Sequence, residues 1–202
     1  MTNTMEQELH NALKVLREGG TILYPTDTIW GIGCDATNEK AVEKVFTIKK
    51  RSESKSLIVL VSDDGMLNRF VKDVPEMAWD IMDATGAEED AELSKPITII
   101  YDAARGLAKN VLAEDGSIGI RLVKREVNEF CHKLIHKFGR PIVSTSANIS
   151  GEPAPKNFSE ISGEIKKSVD YVVNWRQNEN GNSLPSSIIK LKANGEFVII
   201  RE

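Results

Sequence analysis

Leu57-Ile58-Val59-Leu60-Val61 is an unbroken run of five aliphatic residues between Ser56 and Ser62-Asp63. A strand with one wet face alternates apolar and polar side chains, so a run without alternation predicts a strand covered on both faces. That demands sheet partners on each edge and further layers above and below, which is an α/β arrangement. Candidate partners lie along the chain. Thr21-Ile22-Leu23-Tyr24 reads as a strand stopped by Pro25. Residues 96–101 and 117–123 read as strands, and Gly139-Arg140-Pro141-Ile142-Val143 reads as a turn feeding a short buried one. Three late strands are predicted over 170–175, 187–191 and 197–200.

Helical patterns separate these runs. Met5, Leu9, Ala12, Leu13 and Leu16 form one stripe, closed by Gly19-Gly20. A second helix is predicted from Asn38, a good N-cap, to Lys50, with Val42, Val45 and Phe46 inward. The strongest pattern spans 125–138, with Val127, Phe130, Cys131, Leu134, Ile135 and Phe138 on the buried side and Gly139 at its end. Residues 63–94 read as helical but acidic, 161–167 as a short helix, and 178–185 as a mobile Asn- and Gly-rich loop. No repeat, low-complexity tract or linker interrupts the pattern, so one mixed-sheet α/β domain is the simplest account.

Bulk properties narrow the function classes. The net charge of -4 argues against a chain that coats nucleic acid by bulk charge, while leaving room for a local basic groove. No apolar run approaches the roughly 20 residues of a membrane span, and the polar, acidic first ten residues do not resemble a signal peptide. Cys34 and Cys131 make no disulfide framework and are expected to be reduced thiols of a cytoplasmic protein.

The chemistry-bearing stretch is Ser144-Thr145-Ser146-Ala147-Asn148-Ile149-Ser150-Gly151. A strand end that opens into hydroxyls and an amide, with Gly151 and Pro153 fixing the turn, makes a polar pocket wall. Lys49, Arg51 and Lys55 place three cations between a helix end and a strand start. They fit either helix C-terminal charge or a phosphate clamp, and spacing alone favours the former. Arg121 closes a strand of small and apolar residues, where a cation needs an anion: an ion-pair partner or a substrate carboxylate, about equally. Gly31-Ile32-Gly33-Cys34-Asp35-Ala36 imitates a dinucleotide fingerprint, but residues 25–30 separate it from its strand. Its glycines are expected to let the backbone pass close to a ligand or another strand. His132 and His136 read as a partly solvated helix face rather than a zinc site, and the cysteines as small core fillers. No hydrolase elbow or P-loop is present.

Five segments taken in order, Tyr24–Gly33, Lys49-x-Arg51, Ser117-Ile-Gly-Ile-Arg121, Ser146-Ala-Asn148-x-Ser-Gly151 and Ser186-Ser187-Ile-Ile, resemble the YrdC-like family. The resemblance runs from about residue 8 to Arg201. It implies a YrdC-like fold, a twisted mixed sheet with flanking helices around a concave, positively lined cavity. Some members carry a further C-terminal domain, for which residues 1–202 leave no room. It also implies the chemistry of threonylcarbamoyl-AMP synthases, nucleotidyltransferases that join L-threonine, bicarbonate and ATP, the last with Mg²⁺, and release pyrophosphate. A downstream threonylcarbamoyl transferase system modifies tRNA with the product, and tRNA or RNA is a further partner that the resemblance admits.

Carried over residue by residue, Lys49, Arg51, Ser146 and Asn148 form the implied catalytic set around the phosphates and the carbamate. Arg51, Lys55, Ser117, Ser146, Ala154 and Arg201 fall at ATP-contacting positions. Thr28, Arg121, Ser144 and Ser186 fall where the family holds threonine, with Arg121 on the carboxylate. No metal-ligating carboxylate is identified. Three departures bear on substrate and rate: Ser186-Ser187 stands where a Ser-Thr pair is usual, and two more lie upstream. The Trp-Pro-Gly-Pro-Leu-Thr segment common in the family is replaced by an acidic 83–98 stretch that keeps only Pro-Ile-Thr, and Leu60 stands where many members have a histidine. These departures motivate a second reading, a YciO-like RNA-binding protein of the same fold without the synthase activity. A relative acting on another carbamoyl compound, as in hydrogenase maturation, is a third.

Overall fold

A computed structural model describes residues 4–52, 56–85, 96–179, 185–191 and 196–201. Helix α1 (Met5–Arg17) is capped by the Thr4 hydroxyl, which accepts the Gln7 N–H. It leads into β1 (Ile22–Tyr24), β2 (Gly31–Gly33) and α2 (Glu39–Lys49). Asn38 caps α2 as expected, accepting from the Lys40 and Ala41 N–H groups. Strand β3 (Ile58–Val61), α3 (Asp64–Phe70), α4 (Glu76–Ala84), β4 (Ile97–Tyr101) and β5 (Ile118–Leu122) follow. Then come α5 (Glu129–Phe138), β6 (Ile142–Ser146), α6 (Gly163–Ser168), β7 (Tyr171–Val172), β8 (Ser187–Leu191) and β9 (Phe197–Arg201).

The described strands form one mixed sheet in the order β7-β1-β2-β6-β3-β5-β4-β8-β9. The aliphatic run becomes β3, inside the sheet between β5 (parallel) and β6 (antiparallel), with Val59, Leu60 and Val61 fully buried. The doubly covered strand expected from the sequence is therefore present. Helix α5 packs on β3 and along α1, and Phe130, Cys131, Leu134 and Ile135 lie in the core. Each such large apolar side chain contributes about 1.5–3 kcal/mol by leaving water. Both cysteines are buried, and desolvation raises both thiols well above their usual range, which suits core fillers.

Three expectations change, and the close approach expected of the 31–33 glycines holds. The 125–138 helix begins at Glu129, because Asn128 takes extended backbone and its side chain accepts the Cys131 N–H. Val127 thus falls before the helix and is 44% exposed instead of buried. The strand after Pro141 runs through Ser146, so the hydroxyl stretch starts on β6 instead of beyond it. Gly31–Gly33 is a strand, wedged between β1 and β6. A Cβ on Gly33 would come within 2.6 Å of the Tyr24 ring and 2.7 Å of the Val143 carbonyl, so glycine is what permits this strand. The strand expected over 170–175 shrinks to β7, and the Asn174 N–H beyond it goes to the Glu8 carboxylate. The acidic 63–94 stretch holds α3 and α4; its residues 86–95, and the expected loop at 180–184, lie outside the described residues.

Candidate anion-binding cavity

Period-two alternation builds the site. Ser117, Gly119 and Arg121 project to the same side of β5, Thr98 and Ile100 to the same side of β4, and Ser186 and Ile188 to the same side at β8. These residues share one cavity of about 420 Å³ with Ile58, with Ser144 and Ser146 of β6, and with Gly31 of β2. Ile200 and Arg201 of β9 bound it at the sheet edge, and the 25–30 turn supplies Thr28 and Trp30. Trp30 is braced by the Phe158 ring, 4.7 Å between centroids. Gly119 keeps the floor low: a Cβ there would stand 3.2 Å from the Thr98 methyl and 3.4 Å from Ile58.

Among the described residues, the walls carry hydroxyls and three guanidiniums and no carboxylate. Arg51 donates to the Ser56 carbonyl at 2.8 Å, while its buried Nε has no partner. Arg201 forks the Ser186 carbonyl, with Nε at 3.0 Å and Nη2 at 2.7 Å. Burial lowers the pKa of both groups, and the Arg121 charge adds to the effect at Arg201, so the cavity holds uncompensated positive charge. Of the two partners that the sequence left open for Arg121, the ion pair is present. The Arg121 Nη2 lies 2.9 Å from the buried Asp27 carboxylate, its Nε is buried without a partner, and the residue also lines the cavity. Nη2 also donates to the Thr28 hydroxyl at 3.4 Å, and that hydroxyl pairs with Thr26 at 3.0 Å.

Of the residues carried over from the family, Thr28, Arg51, Ser117, Arg121, Ser144, Ser146, Ala154, Ser186 and Arg201 line this one cavity. Lys55 lies outside the described residues. Lys49 and Asn148 stand behind the wall. Lys49 is 2% exposed, and its Nζ donates to the Ser146 carbonyl at 2.5 Å and to the Asn148 carbonyl at 2.7 Å. Its own carbonyl accepts the Ser150 N–H, so one residue ties the end of α2 to the loop after β6. Desolvation, with Arg51 adding to it, pulls the Lys49 ammonium down to about 8. The Asn148 amide donates to the Ile149 and Glu152 carbonyls, which fixes its orientation and leaves a buried Oδ1 unpartnered. Asn148 thus offers an acceptor, not a donor.

Sequence reading missed Thr98, Asp27 and Asp115 as parts of the site. Thr98 is buried, and its hydroxyl pairs with that of Ser186 at 2.8 Å. A polar side chain in an otherwise aliphatic strand was its signal. Asp115 accepts from the Ser117 hydroxyl at 2.6 Å and from the Ser117 N–H at 3.0 Å, which pulls its carboxyl down to about 2. With its proton committed to Asp115, the Ser117 oxygen is left to accept. A protein-held Mg²⁺ does not fit the described walls, because among the described residues no carboxylate lines them and no cluster of three or more metal-ligating side chains occurs. A Mg²⁺ entering with a triphosphate belongs to that substrate.

A cavity set on the open face of a mixed sheet, with arginines around hydroxyl walls, defines an α/β protein that takes an anionic ligand. Residues 14–202 match the Sua5/YciO/YrdC family, described as telomere recombination, and the chain belongs to that family. A threonylcarbamoyl-AMP synthase of Pseudoalteromonas translucida is 32% identical over 88% of this chain and 89% of the relative. Two solved structures share the fold. P. abyssi Sua5 complexed with L-threonine aligns with TM-score 0.80 at 23% identity over 98% of this chain, which spans 54% of the Sua5 chain. E. coli YciO aligns with TM-score 0.76 at 23% identity over 99% of this chain and 91% of its own. No helix among the described residues is long and apolar enough to cross a membrane.

Proposed function

We propose that this chain is a threonylcarbamoyl-AMP synthase, a cytoplasmic nucleotidyltransferase that uses L-threonine, bicarbonate and ATP. The observation that carries the reading is a cavity lined, among the described residues, by three arginines and no carboxylate, in a chain whose curated relatives bear that name. The threonine amine and bicarbonate condense to a carbamate and water. A carbamate oxygen then bonds to the α-phosphorus of ATP, and the bond to pyrophosphate breaks. Such a displacement needs positioning and charge neutralisation more than an acid or base, which suits walls of guanidiniums and hydroxyls.

In this reading Arg51 and Ser146 meet the phosphates, while Lys49 and Asn148 hold the loop that presents Ser146. Ser117, Ala154, Arg201 and Lys55 contact ATP; Thr28, Ser144 and Ser186 surround threonine, and Arg121 takes its carboxylate. The product passes to a threonylcarbamoyl transferase acting on tRNA. The test is incubation of purified protein with ATP, Mg²⁺, bicarbonate and L-threonine, following pyrophosphate and the adenylate by mass spectrometry. Threonine-dependent formation of both is expected, with at least a hundredfold loss in Arg51→Ala, the scale of removing a charged transition-state contact. A folded protein that binds ATP yet forms neither product overturns the reading.

A further inference from the structure

Asp27 is a buried carboxylate without a part in the chemistry above. Its side chain is 2% exposed, and its Oδ1 lies 2.9 Å from Arg121 Nη2. It does not line the arginine cavity. It borders a separate small cavity walled by Met82, Ile97, Leu122 and Val127. Arg51 and Arg201, the other cavity arginines, have no carboxylate partner among the described residues; they donate to backbone carbonyls. One of three guanidiniums is therefore neutralised from behind while keeping a face toward the ligand.

We infer that Asp27 is a positioning and specificity-determining residue that divides the cavity by charge: it reserves Arg121 for a zwitterionic amino acid and leaves the uncompensated arginines to the nucleotide. This rests on the proposed reading of the cavity. A triphosphate gains most where positive charge is unopposed. At Arg121 the field is close to balanced by Asp27, so a polyanion gains little there. A single carboxylate that brings its own ammonium fits that balance, and the held guanidinium gives it a pre-oriented donor. Asp27 also sets a counter-charge beside the buried guanidinium, where an unpaired cation is costly.

The test is calorimetric binding of L-threonine and, separately, of ATP to the wild type, Asp27→Asn and Asp27→Glu. The wild type binding ATP but not threonine defeats the amino-acid reading before any variant is considered. Given wild-type threonine binding, Asp27→Asn is expected to weaken threonine at least tenfold and leave ATP within threefold or tighter. ATP is then expected to compete with threonine, since the freed Arg121 charge admits phosphate. Asp27→Glu keeps the charge but shifts the guanidinium, so it is expected to recover part of the threonine affinity without competition from ATP. Equal losses for both ligands, or unchanged threonine affinity in folded Asp27→Asn, overturn the inference. If Asp27→Asn does not fold, Asp27→Glu decides: a threonine-selective loss without competition supports the inference, and parallel losses defeat it.

Discussion

Lys49 is a cation turned inward. Burial costs it hydration, and two carbonyls return only part of that, so its proton is held less tightly than in the unfolded chain, where 10.5 is the usual value. Between about 8 and 10.5 the unfolded state then binds more protons than the folded one, so this group makes stability rise with pH over that window. Denaturant titrations from pH 7 to 10.5 are expected to show that rise in the wild type and a flatter profile in Lys49→Met. Lys49→Met also releases the Ser146 and Asn148 carbonyls and is expected to weaken ATP binding. Gly119 sets the opposite kind of constraint, since a side chain there would rise from the cavity floor, against the Thr98 methyl and Ile58. Gly119→Val is expected to lower ligand affinity more than tenfold while the melting temperature falls by only a few degrees, measured by calorimetry of binding and of unfolding.

At the level of elements, β9 is half sheet edge and half cavity wall. Phe197, Val198, Ile199 and Ile200 are 44–56% exposed, so the strand buries little area of its own and is held chiefly by its ladder to β8. Arg201 adds the fork onto the Ser186 carbonyl. Truncation before Phe197 is therefore expected to leave the remaining sheet folded by circular dichroism and to weaken ATP binding through the loss of Arg201. In α5, Asn128 takes one orphan N–H of the first turn. Asn128→Ala is expected to cost about 1 kcal/mol of stability in denaturant unfolding, with ligand affinity unchanged because α5 does not border the cavity.

Across the whole molecule, charge placement outweighs charge total. The chain is net negative, yet Arg51, Arg121 and Arg201 converge where no carboxylate among the described residues lines the wall. ATP affinity is expected to fall steadily as salt is raised from 50 to 500 mM, by roughly tenfold, because the arginines are only partly screened inside the cavity. Threonine affinity is expected to change less, since its charges cancel. The core residues form one continuous cluster across both halves of the sheet, so unfolding is expected to be a single transition that saturating ATP shifts upward.

Local pattern settled the parts that depend on near neighbours in the chain. The aliphatic 57–61 run, the Asn38 cap and the α1 and α5 stripes follow from periodicity and from side chains that satisfy adjacent backbone groups. The ordered motifs were enough to point to the family and to nine of the residues that line the cavity. Partners far apart in the chain were beyond that reach. Position 27 meets 121, 98 meets 186, and the Lys49 ammonium meets 146 and 148 only because β5, β4 and β6 are brought into register by the sheet. Whether a buried charge faces a ligand, a carboxylate or a carbonyl is decided by those distant neighbours, since it is they that replace the water each charge has lost.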